Sequence, residues 1–152
     1  MIADSPILIP DYEPFADVYK VIPPLIPSGF EYEFVTASGL LYEVQFAKKE
    51  NLLSMILNFS VLSEEFDHEY PVTNRGEIYN VIATVIEILH LFHIQHPYTV
   101  SYEFSGEHKD NNDIQIASIR TRLYLRFAQR YINNKWISEI ACNRVVIRKK
   151  RA

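Results

Sequence analysis

Cysteine is almost missing from this chain of 152 residues. Cys142 stands alone, so no intrachain disulfide can form, and a reducing cytoplasm is the expected compartment. Long apolar runs are missing too. No stretch approaches the roughly 20 apolar residues that span a bilayer. The opening "MIADSPILIP" has neither the basic lead nor the long apolar core of a signal peptide. There is no internal repeat, no low-complexity segment, and no RNP, helix-turn-helix or zinc-finger pattern. Positive charge is scarce at first: residues 1–113 hold five basic residues against 18 acidic ones. Residues 114–152 reverse this, with ten basic residues and Glu139 as the one acid, giving a net charge of −4. That asymmetry reads either as a basic binding face or as two halves that neutralise each other within one fold.

What is there is core-forming material. The chain is 48% hydrophobic and 13% aromatic, which excludes disorder, and its length suits one domain. Six of the eight prolines fall in residues 1–29 (Pro6, Pro10, Pro14, Pro23, Pro24 and Pro27). Proline fixes φ and removes a donor, so this stretch is expected to be an extended arm rather than a regular helix or central strand, with room for a short helical turn over 11–20. Its many aliphatic residues, Ile7, Leu8 and Ile9 among them, predict packing over the domain or onto a partner, including homo-oligomerisation through the arm. The expected division is a Pro-rich arm over 1–29 and a single α+β domain over 30–152.

Period-two alternation marks three strands. "FEYEFVTA" sets Phe30, Tyr32 and Phe34 against Glu31 and Glu33; "LLYEVQFAK" sets Tyr42, Val44 and Phe46 against Glu43 and Gln45. "LLSMILNFSVL" puts Leu53, Met55, Leu57, Phe59 and Val61 on one face. Ser38-Gly39 and residues 48–51 supply the turns, so the segment reads as an antiparallel meander. The acidic stretch "SEEFDHEYPV" leaves room for another strand near Phe66 to Val72. A helix over about 75–95 follows, with Ile78, Val81, Ile82, Val85, Leu89 and Phe92 at helical spacing and enough further apolar residues to be covered on more than one side. "YTVSYEFSG" predicts a strand with Tyr98, Val100, Tyr102 and Phe104 on one face. A second helix is expected over 114–132, its inner stripe Ile116, Ile119, Leu123 and Phe127. "WISEIACNRVVI" reads as a closing strand before the basic tail. The class is α+β: a mixed sheet built on an N-terminal meander, with two long helices.

Three places carry possible chemistry. At the front of the first helix, Thr73 or Asn74 caps it, and Arg75, Gly76 and the free backbone N–H groups are able to hold an anion. A plain helix cap explains the same residues. Arg122, Arg126 and Arg130 recur every four residues and form one stripe, with Arg120 pointing elsewhere. Beside Arg144, Arg148, Lys149, Lys150 and Arg151 they form a basic face suited to nucleic acid or an acidic partner, or a solvated face matched to the acidic first half. His90, His93 and His96 fan over one side of a helix end, where they complement its dipole better than they clamp a metal. Cys142, in an apolar strand, reads as core.

The order of meander, Gly-containing loop, greasy helix, strand and a helix with "RLY" resembles the GNAT acetyltransferases. In that family a Q/R-x-x-G-x-G/A loop grips the pyrophosphate of acetyl-CoA at a helix start, and a tyrosine of the later helix protonates the departing thiolate. The resemblance implies that Gly76 is the fourth loop residue, with Thr73 in place of the first and Ile78 in place of the last glycine. It implies Tyr124 as the general acid, with Ala117 where the family has asparagine, and Glu69 as the base. Acetyl-CoA would be the cofactor of an N-acetyl transfer. Loss of the second glycine obstructs close phosphate approach, so the same resemblance also implies a non-catalytic relative. The chain is similar, too, to small uncharacterised bacterial and phage-associated proteins that share a T-x-x-G helix start with "ATV" inside it and a later R-x-R-L-Y. Thr73, Gly76, Ala83, Thr84, Val85, Arg120, Arg122, Leu123 and Tyr124 match, and that likeness brings no activity. The reading taken forward is a cytoplasmic, non-catalytic binding domain without a membrane segment. Acyl-CoA-dependent transfer and binding through the basic C-terminal third are its alternatives.

Overall fold

The computed structural model describes residues 7–10, 12–50, 53–62, 77–105, 124–141 and 144–150. Strands β1 (Val21–Ile22), β2 (Glu31–Val35), β3 (Leu41–Lys48) and β4 (Ser54–Val61) lead to helix α1 (Glu77–Gln95). Strand β5 (Ser101–Ser105), helix α2 (residues 124–131) and strands β6 (Trp136–Ala141) and β7 (Arg144–Lys149) follow. The strands form one mixed seven-stranded sheet in the order β1-β2-β3-β4-β5-β7-β6. With this sheet and the two helices among the described residues, the chain is an α+β protein.

The expected meander is present. Strands β1 to β3 pair antiparallel. Lys49 N donates to Ser54 O at 2.8 Å and Leu62 N to Leu41 O at 2.8 Å, which bracket an antiparallel β3–β4 pair. Leu53 lies before the strand and is exposed, so the inward row starts at Met55 and runs through Leu57 and Phe59. By contrast β4 and β5 run parallel, Ser54 opposite Ser101 through Leu57 opposite Phe104. Parallel neighbours need a long crossover, and the connection through α1 provides it.

Three expectations are corrected. The closing strand is two strands, β6 and β7, antiparallel from Trp136 opposite Lys149 to Ala141 opposite Arg144. Only positions 142 and 143 separate them, and with no Gly or Pro in between the apolar pattern reads as continuous. The strand expected from Tyr98 starts at Ser101; Tyr98 is exposed in a turn after α1, and Tyr102 and Phe104 are the buried pair. No helical turn occurs over residues 12–20. The strand expected near Phe66 to Val72, residues 114–123 of the helix expected over 114–132, the polar loop before it, and Cys142 lie outside the described residues.

Contacts divide the chain into two compact units, residues 1–12, 47–57 and 97–152 in one, and residues 13–46 and 58–96 in the other. In the second unit, alternation sends Tyr32, Phe34, Tyr42, Val44 and Phe46 into the core. Phe34 and Tyr42 are directly opposite in the β2–β3 register and stack with centroids 5.1 Å apart. Helix α1 is buried at every position from Val81 to Leu89 except Glu87, which is why its apolar residues are spread so widely around it. Phe92, fully buried, stacks on Phe46 at 3.8 Å and on His96 at 4.0 Å, with Phe30 nearly perpendicular to it at 5.7 Å. The β2–β3 turn depends on Gly39, whose φ of 92° an L side chain rarely adopts.

In the first unit, Met55, Leu57, Tyr102, Phe104, Val145 and Ile147 form the buried face of the sheet. Trp136 lies against Tyr102, and α2 contributes Tyr124, Phe127 and Ala128. The start of the arm belongs here. Ile7 and Leu8 are buried, Ile9 N donates to Tyr131 O at 2.9 Å, Asn133 N donates to Ile7 O, and Tyr12 meets Tyr131 edge-on.

Candidate functional site

Thr73, Asn74, Arg75 and Gly76 lie outside the described residues, as do Glu69, Arg120 and Arg122. The next residue, Glu77, opens α1. Its carboxylate reaches across 39 positions to the β2–β3 turn, accepting from Ser38 N at 2.8 Å and from Ser38 Oγ at 2.9 Å. Thr36, buried beneath that turn, holds it closed: Thr36 Oγ1 accepts from Leu40 N at 3.1 Å and lies 3.1 Å from Ser38 Oγ. A carboxylate in a helix's first turn also complements the positive end of the macrodipole.

Around Glu77 the arm is stitched to the helix. Tyr19 N donates to Thr84 Oγ1 at 3.0 Å, Thr84 Oγ1 donates to Asn80 O at 2.7 Å, and Asn80 Nδ2 donates to Asp17 O at 3.0 Å. Burial raises the Tyr19 phenol above its usual range, a backbone hydrogen bond from Ala37 pulls it back, and the charge of Glu77 adds to the rise. The described part of the helix front is therefore a closed polar junction with its own anion. Sequence reading missed this contact, because an acid in a first helical turn and a serine in a hairpin turn are each ordinary alone.

Tyr124 is buried at the start of α2's described residues, its ring against Phe104 of β5 with centroids 5.1 Å apart. Arg126 and Arg130 are both exposed on α2, one helical turn apart, as the four-residue spacing implies. The Arg130 guanidinium stands 5.6 Å from the Tyr131 ring centroid. Part of the basic C-terminal third is spent internally. Arg144 Nη1 donates to Glu103 Oε1 at 3.1 Å, Lys49 pairs with the other oxygen of that carboxylate, and Arg148 Nε donates to Glu139 Oε2 at 3.2 Å. At the other end of α1, His96 has one ring nitrogen 3.0 Å from Phe92 O and the other 3.0 Å from Ser28 O. It thus ties the helix end to the arm.

A second constellation lies on the outer face of β2 and β3. Glu33 is directly opposite Glu43, Glu31 is opposite Gln45, and Ile22 of β1 is opposite Glu33. Gln45 Nε2 donates to Glu31 at 3.4 Å, and no ion pair reaches the three carboxylates among the described residues. The Glu43 carboxyl is pushed above its ordinary range, first by burial and then by the charges of Glu31 and Glu33, with a smaller opposing effect from Gln45. Beside this row opens a groove of about 560 Å³ lined by Ile22, Pro23, Pro24, Leu25, Ile26, Gly29, Phe30, Glu31 and Glu33. The alternation of glutamates was legible in the sequence. Their cross-strand opposition depended on the register.

No family model matches this chain, and no curated protein or solved structure matches it. No helix among the described residues is long and apolar enough to cross a membrane.

Proposed function

We propose that this chain is a non-catalytic binding domain with a GNAT-like order of elements. The sheet order supports the GNAT-like part: the parallel β4–β5 pair is joined through α1, with antiparallel strands on either side. In open sheets the carboxyl ends of such strands are the usual place for a ligand. The observation that carries the non-catalytic part is the Glu77–Ser38 clamp. Glu77 follows Gly76 within the loop motif, so the segment to which the resemblance would assign a pyrophosphate carries an added negative charge. A phosphate charge at about 6 Å from it is opposed by about 0.7–2.8 kcal/mol for an effective dielectric between that of water and that of a protein surface. Ile78 in place of the second glycine acts in the same direction. The pairing of Arg144 and Arg148 with Glu103 and Glu139 favours internal neutralisation of the basic third over nucleic-acid binding.

Calorimetric titration with acetyl-CoA tests the reading, together with an acetyl-transfer assay on a mixture of free amines. The expected outcome is no saturation at micromolar cofactor and no turnover. Saturable micromolar binding that disappears in Gly76→Asp would overturn it in favour of the acyl-CoA reading. Turnover that disappears in Tyr124→Phe would go further and assign Tyr124 as the general acid.

A further inference from the structure

We infer that the groove between the 23–29 turn and the outer face of β2, with Glu43 of β3 next to it in register, docks an extended cationic partner peptide, one in which lysine or arginine alternates with apolar residues. The inference stands apart from the helix front and holds whether or not acetyl-CoA binds there.

The carboxylate row is costly to the fold by itself. Like charges directly opposite on antiparallel strands destabilise the pair, and Glu33 and Glu43 are so placed with Glu31 one step along the same face. A partner's cations would turn that repulsion into attraction. The wall beside the row is apolar and raised: Leu25 is fully exposed and Ile26 is 68% exposed, with half-exposed Ile22 at their foot. These side chains are held outward by a stiff turn. Pro23, Pro24 and Pro27 fix its backbone, and Gly29 N donates to Ile26 O at 2.7 Å. A Cβ at Gly29 would come within 2.6 Å of Pro24 Cβ, so the turn closes only with glycine there. A rigid apolar wall lowers the ordering cost of docking.

Length selects a peptide over a small amine. Adjacent strands lie about 4.8 Å apart, so an occupant reaching from the wall beside β1 to Glu43 on β3 spans about 10 Å of sheet before adding its own side chains. Pro23 and Pro24 have no N–H to offer, so backbone pairing along the edge stops at Ile22 and recognition falls to side chains. Cationic groups then meet Glu31, Glu33 and Glu43 while alternate apolar residues cover Leu25 and Ile26.

The test uses the full chain and a fluorescent octapeptide of alternating lysine and leucine, with octalysine and a linear polyamine as comparison probes, read by anisotropy. The alternating peptide is expected to bind best. Its affinity should fall about tenfold or more in Glu33→Gln/Glu43→Gln, the size of a single good charge contact, and by a similar factor in Leu25→Ser/Ile26→Ser. Gly76→Asp should leave it unchanged. Folding is a separate readout: the glutamine pair relieves repulsion and should melt no lower than wild type, and the serine pair changes exposed positions. Binding indifferent to either double variant would overturn the inference. So would octalysine or the polyamine binding as well as the alternating peptide, since the apolar wall would then contribute nothing.

Discussion

Glu103 sets up an electrostatic asymmetry in which deleting the cations costs more than neutralising the anion. Its side chain is 9% exposed, while those of its partners Lys49 and Arg144 are 45% and 55% exposed. Removing the cations therefore strands a carboxylate in the protein. Removing the carboxylate leaves two cations that extend into water. An uncompensated buried charge of this kind costs about 3–5 kcal/mol when its partner is deleted. Half-exposed partners screen the attraction and let water follow them, so Lys49→Ala/Arg144→Ala is expected to cost about 2–4 kcal/mol. Glu103→Gln keeps the shape and one of the two accepting oxygens, and the half-exposed cation left facing the amide turns to water, so it should cost about 1 kcal/mol or less. The decisive variant combines all three changes: with the anion gone, loss of the cations should matter little, so the triple variant should be more stable than the double. Urea denaturation at neutral pH, followed by the fluorescence of Trp136, measures this. Trp136 is the chain's one tryptophan, buried in the same compact unit as the triad. A triple variant no more stable than the double would refute the asymmetry and show that the cations act through packing of their stems.

Phe92→Ala should cost about 3–5 kcal/mol by far-UV circular dichroism in denaturant, because it removes a fully buried ring with aromatic neighbours on both faces and at one edge; a loss under about 1.5 kcal/mol would mean that Phe46 and His96 close the gap. Ile7→Ala should cost about 2–5 kcal/mol, and deleting residues 1–27 should lower the melting temperature further by also removing β1. An unchanged melt of the truncated chain would make the arm a dispensable tail.

Local pattern alone determined much of this protein. Alternation of aromatic and acidic residues is a property of consecutive positions, so β2, β3 and their glycine turn could be read from the sequence. The same holds for the apolar spread of α1, since a helix buried around most of its circumference must be greasy around it. Proline density likewise marked the arm as neither helix nor central strand, and among its described residues only the two-residue strand β1, at the end of the sheet order, forms. Other features arise from residues far apart in the chain, and only tertiary structure decided them. The parallel match of β4 to β5 joins segments more than 40 positions apart, and nothing in either strand encodes its partner. Glu103 sits in an alternating strand where sequence reads it as solvent-facing, yet folding brings Lys49 and Arg144 to it and buries it. Glu77 finds Ser38 only once helix and hairpin are side by side. The break between β6 and β7 escaped notice because strand pattern persists on both sides of two residues that carry no glycine or proline. The acidic row was visible as letters, but its repulsion became physical only when the register set Glu33 opposite Glu43, since Coulomb energy depends on distance in space and not along the chain.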